Sequence, residues 1–171
     1  MILTDWQSGS LSGEAVRSHR TVRDLLDYWQ DRNAAEILAD PPLYETETYF
    51  SKPDGTEGAI LWGSTRLFPG NVGGEYFMTR GHWHTKPTHG ELIICVSGTG
   101  LVALMDKDRV TTTVELAPGV TYHIDGTLAH RTINTGNEPL VFWCAWAADC
   151  GHNYESILES GFSQRFYVEK S

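Results

Sequence analysis

The chain has 171 residues, a length that suits one domain. Its 13 Lys and Arg against 22 Asp and Glu give a net charge of −9, which disfavours attraction to nucleic acid and anionic membranes, and no Lys/Arg-rich run offsets it. Hydrophobic residues at 40% suffice for a core and exclude disorder, while no stretch approaches the ~20 apolar residues of a membrane span.

Residues 1–16 carry Asp5 and Glu14 and lack an apolar run, so they do not read as a signal peptide. The three cysteines, Cys95, Cys144 and Cys150, are odd in number and lie in or beside apolar runs, the pattern of buried thiols in a reducing cytoplasm. Residues 21–39 predict a helix, with Val22, Leu25, Leu26 and Trp29 at helical spacing and Ile37 and Leu38 extending the stripe. Asp40-Pro41-Pro42 ends it, because proline cannot continue a helix. Short β-branched and aromatic runs follow at 43–50, 59–68, 75–79, 91–96, 101–105, 110–116, 121–124, 130–134 and 140–147, separated by Gly, Pro and Asn/Asp turn signals. A short helix over 154–161 and a last strand near 164–168 close the chain. The expected fold is therefore all-β, a small sandwich or barrel. Residues 1–40 form an N-terminal arm and helix, 41–150 the barrel, and 151–171 a C-terminal helix and strand, all within a single domain 1–171.

Histidine is the most informative residue type. In an extended segment, His82-Trp83-His84 points two imidazoles to one face. Glu91 opens the next apolar run, and His130 begins a later strand. Three imidazoles and a carboxylate directed into a barrel hold a divalent first-row metal with positions left open. The donors suit iron, manganese, nickel, cobalt or zinc without choosing among them, and iron is the expected ion, one per subunit. His19, His89 and His123 have no such company and read as surface or hydrogen-bonded histidines.

The same residues carry a family likeness. His82-x-His84, Glu91 and Gly98 resemble the first cupin motif, and Gly119 with His130-x-x-x-Asn134 resembles the second, with Asp125 where proline usually stands. More narrowly, Thr79-Arg80-Gly81-His82-Trp83-His84, Pro118-Gly119, Ala129-His130-Arg131-Thr132-Ile133-Asn134 and Gly151-His152-Asn153-Tyr154 resemble the cupin-type glucose-6-phosphate isomerases over about residues 40–168.

The resemblance implies a cupin jelly-roll barrel and the metal ligands His82, His84, Glu91 and His130. It implies that Thr65, Thr79 and the Gly81 backbone grip phosphate with Tyr44 beside them, and that His152 and Tyr154 stand at the far end of the sugar. His152 is the expected acid/base or ring-opening assistant. Aldose–ketose isomerisation needs a base at the C1–C2 carbons and positive charge near O1 and O2. Glu91 is the natural base, either displaced from the metal by substrate or remaining a ligand while a hydride shift carries the hydrogen. Ile93 and Thr127 replace residues that face the sugar in the family. They motivate a rival reading, an isomerase or epimerase of another sugar phosphate. An iron cupin dioxygenase and a non-catalytic sugar-binding cupin are further rivals. Trp62, Trp143 and Trp146 read as core or dimer surface, and Phe142 as cavity lining or core. The partners implied are a sugar phosphate and a second copy in a homodimer, with no nucleic acid and no membrane.

Overall fold

Alternation of buried and exposed residues builds the walls of the molecule. The structure, a computed structural model, describes residues 2–169. An N-terminal hairpin pairs β1 (Leu3–Thr4) with β2 (Leu11–Ser12), and β3 (Val16–Thr21) follows. A 3-10 segment (Arg23–Tyr28) and helix α1 (Arg32–Ile37) then lead into β4 (Pro42–Tyr49) and β5 (Ile60–Leu67). The short strands β6 (Asn71–Val72), β7 (Glu75–Tyr76) and β8 (Trp83–His84) precede β9 (Glu91–Ser97), β10 (Gly100–Met105) and β11 (Thr111–Leu116). The chain closes with β12 (Thr121–Ile124), β13 (Ala129–Asn134), β14 (Leu140–Ala147), β15 (His152–Asn153) and helix α2 (Glu155–Ser160).

One wall is a six-stranded antiparallel sheet in the order β12-β9-β14-β5-β4-β3; the other is β11-β10-β13. The segment before β8 extends the second wall along β13 through single bridges, Met78 to Ile133 and His82 to His130. This is the jelly-roll barrel implied by the cupin likeness. Leu61, Leu67, Ile93, Cys95, Leu116, Ile133 and Leu140 are almost fully buried between the walls. Such side chains stabilise by roughly 1.5–3 kcal/mol each relative to exposure.

Register sets which side chains share a row across the first wall. One row runs Arg20, Tyr44, Leu67, Leu140; the next Ser18, Thr46, Thr65, Phe142, Cys95; another Cys144, Ile93, and the last Trp146, Glu91, Ile124. Side chains two apart on a strand point to the same face, so these rows follow one another on the barrel's inner surface.

Two elements differ from expectation. The stripe over 21–39 is buried at Val22, Leu25 and Trp29, but Ile37 is 84% exposed and the helix is broken, with Ala35 rather than Ile37 facing the core in its second part. Leu25 leaves helical geometry at φ −118°, ψ 24°, and Trp29 is extended. The backbone N–H of Gln30 donates to buried Glu75 at 3.0 Å, and Asp31 caps a fresh helix by accepting from Ala34 N. Spacing alone shows the buried face but not this capture by a distant carboxylate. Residues 164–168 run beside β7 with Tyr76 N donating to Phe166 O and Val168 N to Gly74 O, yet form only the one bridge, Glu75 to Tyr167. β7 is two residues long and offers no more edge to pair with.

Candidate metal centre

The backbone clamps His82 before its side chain does anything. His82 N donates to His130 O at 3.1 Å, and His130 N donates back to His82 O at 3.0 Å. Gly81 turns the chain into this pair at φ 75°, the left-handed region that glycine adopts without steric cost. A Cβ there would meet Phe162 at 2.9 Å and Arg131 and His130 O at 3.0 Å.

His82, His84, Glu91 and His130 each place a ligand atom within 4.8 Å of the others. Glu91 Oε2 lies 3.6 Å from His84 Nε2 and 3.5 Å from His130 Nε2. Backbone carbonyls face the other imidazole nitrogen of two of them: His89 O is 2.5 Å from His84 Nδ1, and Leu128 O is 3.3 Å from His130 Nδ1. A carbonyl only accepts, so those Nδ1 atoms carry the proton and Nε2 presents its lone pair inward. Nε2 of His82, His84 and His130 is buried without a hydrogen-bond partner. Buried polar atoms are normally partnered, and this convergent set of three imidazoles and one carboxylate fits a divalent first-row metal.

The electrostatics agree. Burial and repulsion from His130 push His82 well below the ordinary histidine range, although Glu91 opposes the shift. Burial alone would raise the Glu91 carboxyl, but the His130 and His84 imidazoles that face it outweigh burial and hold the group well below the usual carboxylate range. Burial likewise works against charge on His84, but Glu91 and the His89 carbonyl raise it. The carboxylate is thus anionic, and His82 is a neutral donor.

The cluster closes one end of a cavity of about 270 Å³. Tyr44, Thr65, Thr79, Gly81, His152 and Tyr154 all line it, whereas His84 is fully buried and reaches the cluster without lining the cavity. Thr79 Oγ1 accepts from Thr132 N at 3.0 Å, which leaves its proton to donate elsewhere. Burial lowers His152, against the pull of Glu91, so its imidazole is neutral. Burial raises both tyrosines; Arg80 opposes this at each, and Arg20 does so at Tyr44. The Arg80 guanidinium lies 3.9 Å over the Tyr154 ring, with its buried Nε unpartnered.

Among the cavity residues, Arg20 and Trp146 escape the sequence reading, and Arg80 is left open by it. Arg20 lies on β3, an arm strand whose membership of the barrel wall only the register reveals. Alternation leaves the direction of Arg80 open, but Arg131 Nη2 donates to Arg80 O at 2.6 Å and the Gly81 turn follows, so the side chain enters the cavity. Trp146, read as core or dimer surface, lines the cavity beside its register partner Glu91, its indole nitrogen buried and unpartnered. Trp143, three residues away, faces outward and is covered by Trp6, the ring centroids 4.1 Å apart. Phe142 lines the cavity. Of the two departures, Ile93 faces the cavity, whereas Thr127 is turned onto its own loop, donating to Asp125 Oδ1 at 2.6 Å. Asp125 caps that turn in place of the usual proline, also accepting from Thr127 N at 2.8 Å.

Comparison with known proteins gives this geometry a context. The family whose profile matches residues 19–171 is described as Glucose-6-phosphate isomerase (GPI). A glucose-6-phosphate isomerase of Thermococcus kodakarensis is 37% identical over 162 residues, spanning 94% of this chain and 84% of that protein. One of Pyrococcus furiosus is 34% identical over 166 residues, spanning 95% and 86%. Among solved structures, a deletion mutant of Bacillus subtilis oxalate decarboxylase superposes with a TM-score of 0.51 and 22% identity, over 65% of this chain and 28% of that one. That likeness is one of fold alone. With the profile covering most of its length, the chain belongs to the glucose-6-phosphate isomerase family.

Proposed function

We propose that the cavity interconverts glucose 6-phosphate and fructose 6-phosphate, with the sugar's C1–C2 end at His82, His84, Glu91 and His130 and its phosphate at the Arg20–Arg80 end. The observation that carries this reading is one cavity lined both by the convergent ligand cluster and, three strand rows from Glu91, by Arg20 and Tyr44, with Thr65 between them and Arg80 lying over Tyr154. His82, His84, Glu91 and His130 would hold one divalent metal, iron foremost. Bound there, such an ion supplies Lewis-acid charge to the sugar's oxygens.

The chain's own residues do the rest. Arg20, Arg80, the hydroxyls of Thr65, Thr79 and Tyr44, and the Gly81 N–H bind the phosphate, as charge-assisted donors do for a dianion. This fixes the distance to the reacting carbons, so binding energy at the phosphate orients the far end. Glu91, held anionic, takes the hydrogen from one carbon as a proton and returns it to the other once substrate frees it from the ligand set. Neutral His152 moves the proton between the sugar oxygens and assists ring opening. Tyr154, stacked beside His152 with ring centroids 5.9 Å apart, fixes its orientation. Ile93 bounds the cavity as an apolar wall and narrows the choice of sugar.

The chain acts as one domain, in the cytoplasm, and pairs with a second copy through the outer face of the large sheet, where Ile60 and Leu92 are exposed. Light scattering tests this directly: a dimer mass is expected, and a monomer at micromolar concentration removes that part. For the chemistry, turnover of fructose 6-phosphate is compared with that of unphosphorylated fructose and of other ketose phosphates. The expected order puts fructose 6-phosphate first and weakens fructose by at least ~100-fold in kcat/KM, about two charge-assisted hydrogen bonds' worth. Preference for another ketose phosphate would reassign the substrate and leave the site in place.

A further inference from the structure

A second set of ligand atoms sits against the first. His84, Cys150 and His152 place one ligand atom each within 4.8 Å of one another. Cys150 is fully buried and unbridged, and its Sγ lies 3.9 Å from His152 Nε2.

The fold makes this meeting rigid. His152 and His84 are register partners in the β15–β8 pair. Thr85 N donates to Gly151 O at 3.1 Å, and Lys86 N to Cys150 O at 2.8 Å, so the two chains are zipped together just past the histidines. Gly151, at φ 64°, turns the chain between the thiol and the imidazole. A Cβ there would strike Thr85 at 2.7 Å. His84 has only one free nitrogen, Nε2, because Nδ1 is engaged with the His89 carbonyl. One lone pair serves one ion, so the two sets cannot both use His84.

They also differ in chemistry. Three imidazoles and a carboxylate suit any borderline divalent ion, whereas a thiolate with two imidazoles selects a thiophilic one. Three protein ligands with a fourth position left to water is a common zinc arrangement.

We propose that His84, Cys150 and His152 form an alternative binding mode for a thiophilic divalent ion, zinc foremost, and that zinc held there inhibits the enzyme. Binding breaks the Cys150 S–H bond, forms a sulfur–metal bond and releases the proton to solvent, with no electron transferred. The ion takes His84 from the first set and His152 from the substrate. The ligation stands on its own geometry; the inhibition rests on the function proposed above.

Cobalt(II) is the probe, because it is thiophilic and its thiolate complexes absorb by sulfur-to-metal charge transfer. Metal-free protein titrated with cobalt is expected to develop that near-ultraviolet band. Cys150→Ser should abolish it, while Cys144→Ser, at the other thiol near Glu91, should keep it. The wild-type spectrum is decisive even where a variant fails to fold. Zinc titrated against manganese-supported turnover should inhibit wild type, and Cys150→Ser should need at least ~10-fold more zinc. A cobalt protein with no sulfur band, or a band that follows Cys144, overturns the inference. Normal manganese turnover beside that result leaves the isomerase reading intact. A Cys150 band in a protein without isomerase activity does the reverse.

Discussion

Burying three imidazole nitrogens without partners costs on the order of 1–3 kcal/mol each, and an ion held between them would offset that cost. His82→Ala should therefore leave the metal-free protein within about 1 kcal/mol of wild type while lowering metal affinity at least ~10-fold. Calorimetric titration with manganese alongside thermal melts of the chelated proteins measures both. At the opposite end, Arg20→Ala and Arg80→Ala should each raise KM for fructose 6-phosphate about tenfold or more, because each removes a charge-assisted contact to a part of the substrate that does not react. Steady-state kinetics check this, and an unchanged KM in both variants would move the phosphate elsewhere. The ligand histidines and Glu91 are legible in the sequence because strand periodicity turns spacing into direction. Arg20 and Trp146 are not, because their direction depends on the register of strands far apart in the chain.

Among the elements, the segment 78–84 is the most constrained, since it carries Thr79 and Arg80 of the proposed phosphate site together with His82 and His84 of the proposed ligand set. Gly81→Ala would force a Cβ into Phe162, Arg131 and the His130 carbonyl at a positive φ, and should destabilise the protein by roughly 1–3 kcal/mol while weakening metal binding. Glu75 has a different task. Its carboxylate, 2% exposed, accepts from Gln30 N at 3.0 Å and from Arg165 Nη1 at 2.8 Å, tying the N-terminal arm and the C-terminal tail to β7. Glu75→Gln should cost about 2 kcal/mol in urea unfolding with kcat nearly unchanged, because no part of the pair touches the cavity. The strands are readable from alternation, and the turns from Gly and Pro. The broken N-terminal helix and the tail are not, because both depend on this one carboxylate reaching across the fold.

For the whole molecule, two sheets packed face to face give the rigid frame, and an ion held by the cluster would join them, since Glu91 comes from one wall and His130 from the other. Metal binding should thus stabilise the entire barrel. At free metal about a thousandfold above its dissociation constant the gain is roughly 4 kcal/mol, and chelation should lower Tm by on the order of 10 °C. Differential scanning calorimetry with and without chelator reads this, and an unchanged Tm would place the ion outside the frame. The jelly-roll class follows from strand number and spacing together with the cupin likeness. Incorporation of the arm strand β3 into the large sheet does not, because nothing in six residues, mostly exposed, marks them as a barrel edge.

The cluster, once it holds a metal, should isomerise the sugar phosphate. The most direct measurement strips the protein with chelator, reloads it separately with iron, manganese, nickel, cobalt or zinc, supplies fructose 6-phosphate and reads glucose 6-phosphate through its dehydrogenase. Turnover should return with a divalent metal and be lost in Glu91→Gln. Folded, metal-loaded protein that turns over no fructose 6-phosphate with any of the five ions would contradict it.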